Sequence, residues 1–197
     1  MVAEARPAAS LILLRRGGRH TDRGVEVLLV RRSHEARFMP GVWVFPGGAV
    51  DEADAGDDEA AHIACAVREL REEANIQLEP GAELLAWSRW ITPEPVPVRF
   101  DTRFYVALAP AHSPPRPDGR EVIEAGWFAP AGALGRHTAG ELDLVFPTVK
   151  HLESLLPYSS SGEVLEAAGH RDIEPVMPRV VGRGADSRIV LPGDPGY

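Results

Sequence analysis

The sequence has few of the features that mark disulfide-rich or membrane-spanning proteins. Among its 197 residues only Cys65 is a cysteine, so no disulfide can form within the chain. This suggests a reducing compartment, and we expect the cytoplasm. The longest apolar runs, such as residues 10–14, are far shorter than the roughly 18 residues that a membrane span needs. The N-terminus lacks the pattern of a signal peptide, because Glu4 comes early and Arg15 ends a brief apolar run.

Positive charge is also scarce. Lysine and arginine number 21 against 29 aspartates and glutamates, which gives a formal net charge of -8. We therefore expect no nucleic-acid or membrane partner, since either would favour a broad basic surface. An anionic small molecule would need a local basic patch or a bound cation. The sequence leaves open whether the chain is a monomer or a homodimer.

What is present is an ordinary globular composition, with 44% hydrophobic and 25% charged residues. Apolar patterns separated by turn residues predict an α/β (α+β) fold with helices packed on a mixed sheet. We expect one domain over residues 1–157 and an extension over 158–197 that packs on it. The predicted strands are 10–17, 24–33, a short one within 37–51, 99–109 and 121–128, and that at 99–109 is expected to be half-buried. The predicted helices are 58–74 and 146–156, the second with Leu156 on its inner side, and residues 90–98 are predicted to be a loop.

The helix at 58–74 has the clearest signals. Asp57 or Asp58 can cap its N-terminus, and Asn75 suits a left-handed C-terminal cap. One buried stripe is predicted for Ile63, Val67, Leu70 and Ala74. His62 is expected at the surface or at the boundary of the core. The acidic residues Asp51, Glu52, Asp54, Asp57 and Asp58 are expected mostly to face solvent, with one of them as a cap. By contrast, Cys65 is expected to be buried.

Three carboxylates gather near the end of this helix. Glu69, Glu72 and Glu73 stand at i, i+3 and i+4, so they share a face and repel one another. Hard cations such as Mg²⁺ and Mn²⁺ bind clusters of carboxylate oxygens, and Arg68 can hold one carboxylate in place. The alternative is a solvated helix face.

The string R-E-L-R-E-E-A-N-I, residues 68–76, resembles the second half of the Nudix box, G-x5-E-x7-R-E-U-x-E-E-x-G-U with U aliphatic. Gly48 would be the box glycine, and Gly47 and Gly48 are expected to permit a tight turn. The chain departs from the pattern in two ways. The distance from Gly48 to Arg68 is six residues longer, so the first glutamate of the box would fall on Ala60, with Glu59 one place off. Asn75 replaces the last glycine, and asparagine tolerates positive φ.

The preceding stretch LLVRRSHEARFMPGVWVFPGG resembles the signature of the coenzyme A diphosphatase branch, L-L-T-x-R-S-x3-R-x3-G-x3-F-P-G-G. Only Val30 differs, where the signature has threonine. The segments WITP and RFDTRFY are also similar to peroxisomal acyl-coenzyme A diphosphatases. The resemblance covers about residues 8–156.

The family resemblance implies a mixed sheet sandwiched between helices and hydrolysis of a pyrophosphate that links a nucleoside phosphate to another group. It implies Mg²⁺ or Mn²⁺ held by Glu69, Glu72, Glu73 and the carbonyl of Gly48, with Arg68, Glu69 and Glu72 as catalytic residues. Such a cation neutralises the diphosphate and lowers the pKa of a bound water. The general base stays open among Glu69, Glu72, Glu121 and Glu124.

The favoured substrate is coenzyme A or an acyl-coenzyme A, giving phosphopantetheine and adenosine 3′,5′-bisphosphate. Arg32, Arg37 and Arg99 are candidates to bind its phosphates, and Phe45 to stack on its base. Surface ion pairs for the arginines and a core position for Phe45 and Trp90 remain the alternatives. Two other functions stay open: a Nudix pyrophosphatase acting on ADP-ribose, a dinucleotide or an oxidised nucleotide, and a nucleotide-sensing module without catalysis.

Overall fold

The structure is a computed structural model that describes residues 3–16, 24–36, 38–182 and 188–197. These residues form ten strands and four helices. In chain order they are β1 (Arg6–Arg16), β2 (Val25–Arg32), β3 (Trp43–Val44), β4 (Gly47–Ala49), α1 (Asp58–Ala74), β5 (Leu85–Ile91), β6 (Phe100–Leu108), β7 (Val122–Phe128), α2 (Pro130–Thr138), α3 (Phe146–Leu155), α4 (Ser161–Gly169), β8 (Pro175–Val176), β9 (Arg179–Val181) and β10 (Arg188–Val190).

Eight of the strands form one mixed sheet in the order β3-β2-β1-β6-β5-β8, with β4 paired to β1 and β7 paired to β2. β1 is central: it runs parallel to β6 along its length and antiparallel to β2 at its end, as the predicted hairpin requires. Near its start, β1 pairs instead with β4, with Ala9 opposite Gly48. This pairing places the glycines of residues 47–48 at the start of the central strand.

Helices cover both faces of the sheet, so the predicted sandwich is confirmed. On one face Leu11 and Leu13 pack with Leu70 of α1, and on the other Ile12 and Leu14 pack with Leu152 of α3. Covered strands are apolar on both sides. For that reason the prediction of a half-buried strand at 99–109 is wrong: residues 104–107 of β6 are all buried.

Helix α1 has the predicted bounds of 58–74. The side chain of Asp57 accepts the N–H of Ala60 at 2.9 Å, and Asn75 takes the left-handed conformation with φ 52° and ψ 35°. The buried face is rotated from the predicted stripe, because Ile63 and Val67 are only half-buried. The buried positions are His62, Cys65, Ala66, Leu70, Glu73 and Ala74, so the prediction that His62 lies at the surface or boundary is wrong.

The C-terminal part of the chain is more regular than predicted. α3 begins at the predicted residue, but Leu156 lies beyond its end and is 49% exposed rather than inside. Strand β5 extends through Trp90 and Ile91, into the predicted loop. Helices α2 and α4 were not predicted. No helix within the described ranges is long and apolar enough to cross a membrane.

Candidate active site

A cavity of about 540 Å³ opens where β1 and β6 begin, beside β4 and the end of α1. Its polar end holds the carboxylates of Glu69, Glu73 and Glu121 together with Arg32. The rest is apolar and aromatic, with Phe100 and Phe104 of β6 among its walls. The cavity size is typical of a small-molecule site, and convergent charged groups at one end are typical of a site that fixes an ionic ligand.

Gly48 and Glu69 lie in direct contact at the polar end. A Cβ atom on Gly48 would overlap the carboxylate of Glu69, and one on Gly47 would collide with the backbone of β1 at Ala9 and Ser10. Neither glycine has positive φ. The tight turn predicted for this pair is therefore not the reason for glycine here; the reason is the close approach of strand β4 to β1 and to α1.

Glu73 lies beneath the same strand, 4% exposed, and accepts the backbone N–H of Gly47 at 3.0 Å. Burial, together with the neighbouring charge of Glu69, raises the pKa of Glu73 to about 8, although the N–H of Gly47 opposes the shift. Burial also raises the pKa of Glu69, although its contact with Arg68 opposes the shift. Glu69 and Glu73 are thus adjacent carboxylates that are costly to ionise. A hard divalent cation bound between them would stabilise their charged forms.

Arg68 organises the other side of this group. Its guanidinium contacts both oxygens of Asp54, with Nε–Oδ1 and Nη2–Oδ2 both at 2.9 Å. It also donates to Glu69 at 2.7 Å, to Glu72 at 3.1 Å and to the carbonyl of Ala49 at 3.2 Å. The hydrogen bond from Arg68 lowers the pKa of Asp54. Arg68 thus joins the loop after β4 to the carboxylates of α1.

Asp54 corrects two predictions. It is buried rather than solvent-facing. It also stands six positions after Gly48, with five residues between them, where the box has its first glutamate; its contact with Arg68 favours this position over Ala60 or Glu59. Thirteen residues separate Asp54 from Arg68, against seven in the pattern, and the six extra residues lie in that interval. Glu59 instead pairs with Arg103 and accepts the hydroxyl of Tyr105 at 2.9 Å.

Glu72 does not reach the cavity with Glu69 and Glu73. Its side chain is 52% exposed and pairs with Arg68, and it does not line the cavity. In the four described ranges, no three His, Cys, Asp or Glu side chains are grouped closely enough to hold a metal ion as they stand. The carboxylates that line the cavity are therefore those of Glu69, Glu73 and Glu121, beside the backbone of Gly47 and Gly48. Cys65 lies beneath them, buried as predicted, with Sγ 3.5 Å from the carbonyl oxygen of Gly48.

The predicted substrate-binding residues fall into different places. Arg32 lines the cavity, where its Nε donates to the carbonyl of Phe38 at 3.1 Å. Phe45 also lines it but is 3% exposed and belongs to the core. Arg99 is buried outside the cavity lining and donates to the carbonyls of Thr92 and Ala3. Arg37 lies outside the described residues.

The two candidate bases near β7 also separate. Glu121 lines the cavity, whereas Glu124 pairs with Arg31 at 2.6 Å and does not. No ion pair involves Glu121 within the described part of the chain. Of the two, only Glu121 faces the space that holds Glu69 and Glu73.

Some lining residues were not found from the sequence. Arg6 lines the cavity with its guanidinium 5.9 Å from the ring centre of Phe100, which meets Phe38 edge to face. Arg6 and Phe100 are partners in the parallel β1–β6 register. No local pattern marks such a pair, since it depends on a strand pairing across more than ninety residues.

A buried histidine supports the aromatic wall. His151 of α3 packs on Phe104 with ring centres 4.1 Å apart, and its ring nitrogens contact the hydroxyl of Ser88 at 2.6 Å and the carbonyl of Pro147 at 2.5 Å. Burial lowers the pKa of His151 to about 4. The imidazole is therefore neutral at physiological pH and acts as a packing residue.

A family model for the NUDIX domain matches residues 4–146, and the chain belongs to the Nudix family. It is a hydrolase that acts on pyrophosphate bonds, a class that generally depends on divalent metal ions. This agrees with the carboxylates that converge at the cavity.

Two curated proteins illustrate the relationship. The chain is 28% identical to nudix hydrolase 7 of Caenorhabditis elegans, over 98% of this chain and 74% of that protein. It is 24% identical to the acyl-coenzyme A diphosphatase NUDT19 of Gallus gallus, over 87% of this chain and 72% of that protein. Among solved structures, a NUDIX hydrolase from Alicyclobacillus acidocaldarius matches with a TM-score of 0.73 and 28% identity, covering 83% of this chain and 96% of the other.

A more distant structure shows the same fold. The NUDIX domain of Shewanella oneidensis NrtR, solved with ADP ribose, matches with a TM-score of 0.56 and 19% identity, over 79% of this chain and 88% of that one. At this identity the likeness concerns the fold alone.

Proposed function

We propose that this Nudix hydrolase cleaves the diphosphate of coenzyme A or an acyl-coenzyme A, giving phosphopantetheine (or its acylated form) and adenosine 3′,5′-bisphosphate. The observation that carries the proposal is the position of Arg32, Phe45, Gly47 and Gly48. These residues of the upstream signature line the same cavity as the carboxylates of the box. The similarity to an acyl-coenzyme A diphosphatase supports the same branch.

A divalent cation, Mg²⁺ or Mn²⁺, fits the polar end. The side-chain donors there are hard oxygens, those of the Glu69 and Glu73 carboxylates. The carbonyl of Gly48, whose oxygen lies 3.5 Å from Cys65 Sγ, stays a prediction as a ligand. The two carboxylates are also costly to keep charged without a cation. When bound, the cation supplies charge neutralisation for the diphosphate and lowers the pKa of the attacking water. Glu72, paired with Arg68, stays a prediction as a further ligand.

The side chains around this group have distinct proposed roles. Arg68 holds Glu69 in position from the side of Asp54, so it acts through Glu69 rather than on the substrate. Glu121 faces the cavity without an ion pair among the described residues, and it is our proposed base for the proton that water loses on attack. Glu124, paired with Arg31, does not have that access.

Two arginines line the cavity. Arg32 lies near the carboxylates, and Arg6 lies over Phe100 along the same wall. We propose that they bind the diphosphate and the 3′-phosphate of the ligand, because guanidinium groups form paired hydrogen bonds with phosphate. Arg37 keeps its predicted role as a phosphate contact. Arg99 and Phe45 support the cavity from the packed interior.

Product analysis by liquid chromatography tests the substrate. The purified chain is incubated with Mg²⁺ or Mn²⁺ and, separately, with coenzyme A, an acyl-coenzyme A, ADP-ribose, NADH, a diadenosine polyphosphate or an oxidised dGTP. Adenosine 3′,5′-bisphosphate formed with the coenzyme A compounds, and little product elsewhere, is the expected result. If AMP forms from ADP-ribose or NADH while coenzyme A is left uncleaved, the proposed substrate is wrong. Tight binding of one compound without cleavage would favour the sensing module.

Two variants sharpen the assay. Glu69→Gln should abolish product formation while the fold is retained. Arg32→Ala should raise the KM for coenzyme A, and exposed Arg120→Ala is the matched control that should leave it unchanged. An equal effect of both arginine variants would point to general charge rather than to a phosphate contact.

A further inference from the structure

Exposed large hydrophobic residues are concentrated at the cavity. Seven such residues occur in the described part of the chain, and three of them, Met39, Val180 and Ile189, line this one cavity. Val180 and Ile189 are each 41% exposed. Large apolar side chains left in water beside a ligand cavity indicate that the ligand covers them.

Val180 and Ile189 act as a pair. They stand opposite each other in the antiparallel β9–β10 ladder, so both side chains leave the same face of that ladder. The preceding strand β8 adds to the main sheet beside β5, with Trp90 opposite Val176. This anchoring places the pair, together with Pro178, against the cavity.

The same segment is fixed from a second direction. The hydroxyl of Tyr197 donates to the carbonyl of Met177 at 3.0 Å, and the guanidinium of Arg99 contacts the sulfur of Met177 at 3.8 Å. The strands β9 and β10 therefore form a positioned wall. They also lie beyond residues 4–146, the part that matches the family model.

The cavity thus has two chemically different parts. Carboxylates and Arg32 line it, and so do the apolar Val180 and Ile189 and the aromatic pair Trp90 and Phe146, whose ring centres are 6.2 Å apart. The phosphate groups of a ligand would leave this second, apolar part uncovered. A ligand with a diphosphate and a long apolar group would cover both parts.

We propose that β9 and β10 form the wall for the acyl group of an acyl-coenzyme A, so that Val180 and Ile189 set the preference for acylated over free coenzyme A. The inference rests on the proposed function and adds the part of the substrate that this segment selects. Each methylene of an acyl chain that is covered contributes roughly fourfold to the preference. Loss of the two apolar side chains should therefore be visible in the ratio of the two substrates.

The test compares decanoyl-coenzyme A with free coenzyme A. In the double variant Val180→Ser/Ile189→Ser, the ratio of kcat/KM for the two substrates should fall by roughly tenfold or more, with the value for free coenzyme A little changed. Leu108→Ser is the matched control, because Leu108 is also a strand residue, is 48% exposed and does not line the cavity. It should leave the ratio unaltered.

Direct binding provides a second readout that does not depend on turnover. With EDTA present, calorimetric titration should show that decanoyl-coenzyme A binds more tightly than coenzyme A, and that the double variant removes the difference. If the double variant loses activity equally on both substrates, the wall contacts a part that the substrates share. If neither value changes, the wall contacts neither substrate. Either result overturns the inference. Failure of both compounds to be cleaved would overturn the proposed function, while the binding comparison would still decide the role of Val180 and Ile189.

Discussion

Arg68 and Asp54 form a two-point ion pair, with both nitrogen–oxygen distances at 2.9 Å, between the second half of the Nudix box and the loop after β4. Asp54 is buried, and the same guanidinium holds Glu69. Asp54, which does not line the cavity, thus fixes Glu69, which does, through Arg68. Partners of this kind typically change metal affinity or activity by about 10–100-fold when they are removed.

We expect Asp54→Asn to lower kcat by about 10–100-fold, because Arg68 loses the charge that orients it and Glu69 loses its support. The free energy of unfolding should fall by about 2 kcal/mol, since Arg68 is left with a weaker partner in a partly buried site. Steady-state kinetics and urea unfolding measure the two effects.

Glu52→Gln in the same loop is the control, because Glu52 is exposed. Asp54→Glu keeps the charge and restores the residue type of the family pattern, so it should recover part of the activity that Asp54→Asn loses. If both Asp54 variants behaved like Glu52→Gln, the positioning role of Asp54 would be refuted.

The three glutamates of the helix should not be equivalent. Glu69→Gln and Glu73→Gln each remove an inward carboxylate and should lower kcat by at least about 100-fold, if each supplies a few kcal/mol through the cation. Glu72→Gln removes an exposed partner of Arg68 and should cost less than about tenfold. The same Mg²⁺-dependent assay ranks all three. A Glu72 variant as inactive as the other two would show that Glu72 turns inward when the cation binds.

Glu73→Gln should also stabilise the metal-free protein. Glu73 is buried beside Glu69 and has one backbone donor, Gly47, which a glutamine oxygen can still engage. With its pKa raised to about 8 by burial, Glu73 must take up a proton when the chain folds at neutral pH, and glutamine removes that cost. A higher Tm in EDTA together with lower activity is the expected combination. Glu72→Gln, in contrast, should leave the Tm nearly unchanged.

Local signals in the sequence were sufficient for α1. Asp57, Asn75 and the apolar spacing act within one helix, and the observed bounds match. Helix α4 has a similar signal, which our sequence analysis missed. Ser160 and Glu163 have capping-box spacing, and the Ser160 hydroxyl accepts the N–H of Glu163. Helix α2 contains Gly132 and Gly135, which weaken any helical pattern.

The site depended on contacts that spacing does not determine. The i, i+3 and i+4 pattern put three glutamates on one helix, but the contact with Gly48 decides that Glu69 faces inward. The six extra residues of the box could be assigned only once Asp54 was seen against Arg68. Val180 and Ile189 reach the cavity through a strand pairing far along the chain, and a single sequence carries no signal for that.

Gly48→Ala tests the close approach of β4 to α1. The added methyl would overlap the carboxylate of Glu69 and displace it, so we expect a loss of activity comparable to that of Glu69→Gln, with the circular dichroism spectrum unchanged. Gly132→Ala is the matched control, because its Cβ would meet only Ala129 at 3.9 Å and its helix should be slightly stabilised. Normal activity in Gly48→Ala would show that the position of Glu69 does not matter for the reaction.

His151 should make the fold sensitive to mild acid. Its pKa is about 4 in the folded protein, where burial and the charge of Arg171 oppose protonation, and near 6.5 when the chain is unfolded. Between these values the unfolded chain binds more protons, so the free energy of unfolding falls as the pH decreases from about 6.5 towards 4. From pH 7 to pH 5 this group should lower the free energy of unfolding by an amount on the order of 2 kcal/mol.

Urea unfolding of the wild type and of His151→Gln at both pH values measures this loss, and the variant should lack that share of the decrease. Exposed His170→Gln is the control and should keep the wild-type slope. Equal slopes in all three proteins would mean that the burial of His151 does not govern its protonation.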